Sequence, residues 1–235
     1  GAPSVEGINF KAMKGQTIGV IGGTGSGKSS LVNLIPRLYD ATQGEVLVDG
    51  VNVKDYDIET LRNKVGIVMQ KAVLFKGTIR ENMWMGKKGA TDEQIDEALE
   101  ISQSKEFVDS KQGRLDYVIE QGGKNLSGGQ RQRLTIARAI VRKPDVLILD
   151  DSASALDFAT DAALRKAIRG MNNSPTVFIV SQRAASLMYA DLIIVLDDGQ
   201  VAGMGTHDEL LANCEVYKEI YESQFKKADS EGGVA

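Results

Sequence analysis

Apolar residues along this chain fall into two patterns. Short runs at Thr17–Ile21, Val65–Met69, Val146–Leu149, Thr176–Val180 and Leu192–Leu196 leave little room for polar residues on either face. Such runs suit strands of a parallel sheet covered on both sides. A further strand is predicted over Val5–Phe10, set off by a turn at Lys14-Gly15, and a hairpin over Glu45–Val48 and Val51–Val53 about the Asp49-Gly50 turn. Elsewhere the apolar residues return at helical spacing. Leu31, Leu34, Ile35 and Leu38 share a stretch that Pro36 should bend or end. Ile95, Ala98, Leu99 and Ile101 follow a Thr91-x-x-Gln94 capping box. From roughly Thr78 to Val141 the chain reads as helix, and helices are expected between the last three strands. Strands alternating with helices predict an α/β fold with a mostly parallel sheet. The expected organisation is an α/β core of residues 1–77 and 142–225, a helical insertion over 78–141, and a frayed tail over 226–235. Gly1–Ser4 reads as a linker, and no internal repeat stands out.

Composition narrows the chemistry. The chain of 235 residues is 42% hydrophobic and 26% charged, enough apolar content for a full core. With 28 basic against 32 acidic residues the net charge is −4, which argues against an electrostatic grip on nucleic acid. One cysteine, Cys214, excludes an intramolecular disulfide framework and a cysteine-rich zinc site. One histidine, His207, excludes multi-histidine metal sites; within a Thr206-x-x-Glu209 capping box it is expected to be exposed in a first helical turn. No apolar stretch reaches the ~18 to 20 residues of a spanning helix, and no signal peptide opens the chain, so a soluble chain of a reducing compartment is predicted.

Three segments carry the chemistry. Gly22-Gly23-Thr24-Gly25-Ser26-Gly27-Lys28-Ser29 fits G-x-x-x-x-G-K-[ST] between an apolar strand and a helix. Its glycines let successive N–H groups converge on phosphate oxygens, Lys28 can reach the outer phosphates, and the Ser29 hydroxyl can ligate Mg²⁺. Val146–Leu149 then runs into Asp150-Asp151, a carboxylate pair at a strand end. Alone, the pair reads equally well as solvated turn residues; beside a phosphate loop it suits Mg²⁺ binding by Asp150 and water orientation by Asp151. In Leu126-Ser127-Gly128-Gly129-Gln130, Ser127 and Gln130 form a capping box, but a cap does not need two glycines. Glycines at a helix start make sense where an anion must approach the backbone. Arg131 and Arg133 are expected on a solvated face.

Together these segments resemble the nucleotide-binding domain of ATP-binding cassette (ABC) proteins, across essentially the whole chain. The resemblance implies a P-loop NTPase core with a mostly parallel sheet, an antiparallel β region and an inserted helical subdomain. It implies ATP and Mg²⁺ as cofactors, with residues Gly22 to Ser30 (Ser30 included) around the phosphates and Ser29, Gln70 and Asp150 serving the metal. Gln70 fits the family's Q-loop glutamine, which also touches the attacking water; Ser154-Ala155-Leu156-Asp157 fits its D-loop, and Gly205–Leu210 a common C-terminal stretch. Ser127, Gly128, Gly129 and Gln130 would address the ATP of a second such domain, paired head to tail. Leu74–Asn82 resembles the segment that follows the Q-loop in exporters, and Glu120 sits where exporters carry an acidic residue that contacts intracellular loops. By the same resemblance a transmembrane domain precedes this segment in the full-length chain, and the adenine-stacking aromatic lies upstream of Gly1. The domain would then work at the cytoplasmic face of the membrane, with no nucleic-acid partner.

Two positions depart from the family's pattern. The general-base glutamate falls at Asp151, one methylene shorter, and the switch histidine falls at Gln182, which cannot carry a proton at neutral pH. The expectation is a slowly hydrolysing site in a heterodimeric exporter whose other subunit keeps the Glu and the His. The alternative is a homodimeric transporter with two equally active sites. A chromosome or repair ATPase would need long coiled-coil insertions, and the segment after Gln70 argues against an importer.

Overall fold

The computed structural model describes residues 4–152 and 155–231, with 225–231 as backbone alone. Along the chain run β1 (Thr17–Gly22), α1 (Lys28–Asn33), β2 (Leu47–Val48), β3 (Val51–Asn52), α2 (Ile58–Lys64), β4 (Val65–Val68), β5 (Gly77–Thr78), α3 (Ile79–Trp84), α4 (Asp92–Ile101) and α5 (Lys105–Asp109). There follow β6 (Val118–Ile119), α6 (Gly128–Ile140), β7 (Val146–Asp150), α7 (Phe158–Arg169), β8 (Thr176–Val180), β9 (Leu192–Asp197), β10 (Gln200–Gly205), α8 (His207–Asn213) and α9 (Glu215–Glu231). The residues gather into two compact units, one from the chain up to Arg62 and from Thr176 onward, the other Asn63–Pro175.

In the first unit the strands lie in the order β10-β9-β1-β8. β1 runs parallel to both neighbours, and β9 antiparallel to β10. Every residue of β1 is buried, and Ile18, Ile21, Ile193, Ile194, Val195 and Leu196 lose all contact with solvent. That two-sided burial explains the unbroken apolar runs. The Asp49-Gly50 turn forms as expected, with φ of +52° and +77° joining two short antiparallel strands. β10 was not expected. It is entered through Asp198-Gly199, again a two-residue turn with positive φ, but Gly203 and Gly205 dilute the strand pattern and its register shifts between Val201 and Gly203. Residues 5–10 do not form the expected strand: Gly7 takes φ +67°, and the Glu6 N–H donates to the Gly199 carbonyl at 2.9 Å. α1 stops at Asn33, ahead of Pro36, because a residue preceding proline avoids the helical region. α9 continues to Glu231, into the segment expected to fray, where Lys226, Lys227 and Ala228 are good helix formers.

In the second unit β4 and β7 pair in parallel, Val65 opposite Val146 through Val68 opposite Leu149. Helix α6 buries Leu134, Ile136 and Ala137 completely, and α4 does the same with Ile95 and Leu99. Both start at the capping boxes read in the sequence, Thr91 with Gln94 and Ser127 with Gln130; a third box, Thr78 with Glu81, opens α3. The helical boundaries expected at 78 and 141 fall inside this unit.

Leu99→Ala should therefore cost about 2–5 kcal/mol in urea-monitored stability, and Thr91→Ala about 1 kcal/mol, because the first opens a cavity and the second removes only a cap.

Candidate functional site

The phosphate loop grows directly from the buried end of β1. A Cβ added at Gly22 would collide with the Leu196 carbonyl oxygen of neighbouring β9. At Gly27, φ is +92° and a Cβ would stand 2.7 Å from the Ser4 carbonyl oxygen. No other residue fits the two positions without moving the backbone. Between them Gly23, Thr24 and Gly25 are exposed, and a Cβ at Gly23 or Gly25 would meet nothing within 4 Å. Lys28, only 9% exposed, folds into the loop: Nζ donates to the carbonyls of Gly22 at 2.9 Å and Gly23 at 2.6 Å and lies 3.4 Å from Ser26 Oγ. Ser29 is exposed and Ser30 half-buried in the first turn of α1. Gln182 leaves the sheet at the same end as this loop. β8 lies beside β1 with Val180 opposite Val20, and the Ser181 N–H donates to the Val20 carbonyl at 3.1 Å. The Gln182 side chain is exposed.

In the second unit β7 delivers Asp150, 7% exposed, and then the half-buried Asp151, whose φ is +46°. Aspartate tolerates this left-handed conformation better than most residues. The turn carries the Asp151 carboxylate toward the end of β4, where Gln70 Nε2 donates to Asp151 Oδ2 at 3.1 Å. These residues are 81 apart, so no sequence signal announces the contact. At the start of α6, Ser127 Oγ accepts from the Gln130 N–H at 3.2 Å and Gln130 Oε1 from the Ser127 N–H at 3.0 Å. A Cβ at Gly128 would find only Arg131 Nη2, 3.9 Å away, so the chain's own packing does not demand glycine there. An approach from outside would.

Several residues depart from expectation. Arg131 and Arg133 are half-buried rather than solvated. Arg131 Nη1 donates to the Leu126 carbonyl at 2.6 Å, while Arg133 Nη1 donates to the Gln103 carbonyl at 2.5 Å and stacks on Phe107. Main-chain carbonyls within reach outcompete water for these guanidinium groups. His207 is also half-buried, its Nδ1 2.8 Å from the hydroxyl of Tyr217. Tyr217 is fully buried, and burial pushes its phenol up to about 12. The Thr206–Glu209 box around His207 does form. Asp157 caps α7, and the Thr160 N–H and hydroxyl hold its carboxyl below the usual carboxylate range. Ser154, expected in the same loop, lies outside the described residues. Glu120 is exposed, and its N–H donates to Asn125 Oδ1 at 3.0 Å.

Sequence reasoning missed a groove in the second unit lined by Val65, Ile67, Phe75, Met85, Gly86 and Arg138. Phe75 and Met85 are 47% and 53% exposed there. Arg138 lies 5.9 Å from the Phe75 ring centroid and donates through Nη2 to the Val73 carbonyl at 2.9 Å; burial lowers its pKa. Its walls come from separate segments, so no local pattern marks it.

The ABC transporter family model matches residues 5–154. The chain belongs to the ABC transporter family. It is 45% identical over 224 residues to the uncharacterized ABC transporter ATP-binding protein YfiB of Bacillus subtilis (strain 168), covering 95% of this chain and 39% of that protein. It is 40% identical over 223 residues to a Staphylococcus aureus (strain NCTC 8325) protein provisionally named a multidrug export ATP-binding/permease protein, covering 95% of this chain and 39% of that one. A solved bacterial Atm1-family ABC exporter with ATP bound superposes with a TM-score of 0.89 at 32% identity, over 94% of this chain and 39% of the other. The chain thus spans about two fifths of the length of the curated relatives it matches.

The P-loop ABC fold is therefore established, and ABC ATP-binding domains use ATP with Mg²⁺. The residues present fit both. The loop from Gly22 to Lys28 is an open cradle around a lysine ammonium, which suits phosphate oxygens, and a hydroxyl such as that of Ser29 at its end is a hard oxygen donor of the kind Mg²⁺ prefers. Lys28→Ala should remove most Mg-ATP affinity by isothermal calorimetry, since it deletes the cation at the cradle's centre. Unchanged binding would show that the nucleotide lies elsewhere.

Proposed function

We propose that this chain is the nucleotide-binding domain of an ABC exporter, which binds Mg-ATP, pairs head to tail with a second such domain, and hydrolyses ATP slowly at its own site. Gly22 to Ser30 would wrap the phosphates, while Ser29, Gln70 and Asp150 would hold Mg²⁺. When bound, the metal supplies charge neutralisation at the phosphate oxygens. Asp151 would orient the attacking water, and Gln182 would donate a hydrogen bond to the γ-phosphate. Ser127, Gly128, Gly129 and Gln130 would close over the partner's ATP, which accounts for a glycine at 128 that internal packing does not need.

The observation that carries the slow-site reading is the hydrogen bond from Gln70 Nε2 to Asp151 Oδ2. That carboxamide occupies one oxygen of the Asp151 carboxylate, the group that would have to face the water. An aspartate also withdraws its oxygens by about 1.5 Å, one C–C bond, relative to a glutamate. Misplacement of about 1 Å can cost on the order of 10²-fold in rate, and a general base is worth roughly 10²–10⁴-fold. With Gln182 unable to take up a proton, the site keeps its binding groups and loses its chemistry. Two such sites would make a poor motor, so the partner is a different subunit with a competent base. Exporter identity is favoured by the segment Leu74–Asn82 and by the likeness to the Atm1-family exporter. The half-exposed Phe75 and Met85 beside the Arg138 groove suit docking of a membrane domain, which would place this chain at the cytoplasmic face.

In the two-subunit transporter, Asp151→Glu with Gln182→His is expected to raise hydrolysis at this site by about 10²-fold or more. If the unmodified chain turns over ATP as fast as the repaired one, the slow-site reading is wrong and a homodimer with two equal sites takes its place. Ser127→Arg should leave this chain's own ATP affinity unchanged and abolish ATP-driven pairing in sedimentation velocity. Loss of nucleotide binding by the single chain would instead assign Ser127 to its own site.

A further inference from the structure

The segment that carries Gln182 is held from two directions. On the sheet side, the Ser181 N–H donates to the Val20 carbonyl at 3.1 Å, and Ser181 Oγ accepts from the Arg183 N–H at 2.9 Å. On the other side stands α9. Its Gln224 side chain donates through Nε2 to the Gln182 carbonyl at 2.7 Å and accepts through Oε1 from the Ala184 N–H at 2.9 Å. A carbonyl takes only a donor and an N–H only an acceptor, so this pair of partners permits a single orientation of the carboxamide. A terminal amide so used spans residue 183 and fixes the backbone at 182 and 184 together. The helix behind it is itself anchored, because Tyr217 on α9 is fully buried and bonded to His207 of α8.

We infer that Gln224 is a positioning residue: by clamping the 182–184 backbone it sets where the Gln182 side chain stands beside the phosphate loop, and so how well this domain tells ATP from ADP. The inference rests on the reading of Gln182 as the γ-phosphate contact. Its geometric basis is independent of that reading, since Val180 lies opposite Val20 and residue 182 emerges at the loop end of β1. A side chain that merely docked the helix would affect ATP and ADP equally. A residue that places Gln182 affects only the nucleotide with a third phosphate. Through this clamp, occupancy of the γ-phosphate position and the seating of α9 become linked, so whatever displaces α9 weakens ATP and spares ADP.

The test is a double-mutant cycle on this chain, with MgATP and MgADP affinities from calorimetry and melting temperatures measured alongside. Gln182→Ala should weaken ATP about 10-fold, the scale of one hydrogen bond to a charged group, and leave ADP within about 2-fold. Gln224→Ala should reproduce that ATP-specific loss, and the double variant should lose no more than either single one. Gln224→Glu keeps the acceptor for the Ala184 N–H but turns an oxygen on the Gln182 carbonyl; it should behave like Gln224→Ala, and it supplies the measurement if the alanine variant does not fold. Equal losses for ATP and ADP, or losses that add in the double variant, would overturn the positioning role while leaving Gln182 in place. If Gln182→Ala itself spares the ATP preference, the γ-phosphate assignment fails, and the role of Gln224 fails with it.

Discussion

A lysine ammonium withdrawn almost completely from water is the constraint on which the first unit is arranged. Lys28 retains 9% of its surface, and a cation so placed needs oxygen ligands. It finds them in the carbonyls of Gly22 and Gly23, which face inward because the chain bends sharply where β1 ends. That bend is available only to glycine at 22, where the Leu196 carbonyl occupies the space of a Cβ. The rigid base for all this is β1, buried along its whole length between two parallel neighbours.

The second unit solves a different problem with the same material. β4 and β7 run parallel and in register, so the residues that follow each of them emerge together. A left-handed turn at Asp151 then sends its carboxylate across to Gln70. The short side chain that suits aspartate to that turn also lets its carboxylate meet the carboxamide.

Much of the fold was legible in the chain. The unbroken apolar runs became buried strands, the Asp49-Gly50 hairpin formed, and the boxes at Thr91, Ser127 and Thr206 each start a helix. These features depend on neighbours within four residues. Edge structure was harder. β10 exists because β9 offers it a ladder, despite Gly203 and Gly205, whereas Val5–Phe10 has a strand-like composition and Gly7 bends it away from one. Polar residues misled for a related reason. Arg131, Arg133 and His207 read as solvated from their positions on a helix, but each reaches a partner outside that helix's exposed face.

What the sequence by itself determined was the set of parts: a phosphate loop, a carboxylate-tipped strand, a glycine-opened helix start, and an aspartate at 151 and a glutamine at 182. Each is a statement about residue types at close spacing, and close spacing is enough to define them. Only the tertiary structure decided which parts touch. The contact between Gln70 and Asp151 joins residues 81 apart, and the clamp of Gln224 on the Gln182 backbone joins residues 42 apart. Such contacts are set by strand register and helix docking, which follow from the packing of many side chains at once, and no short run of residues contains that sum.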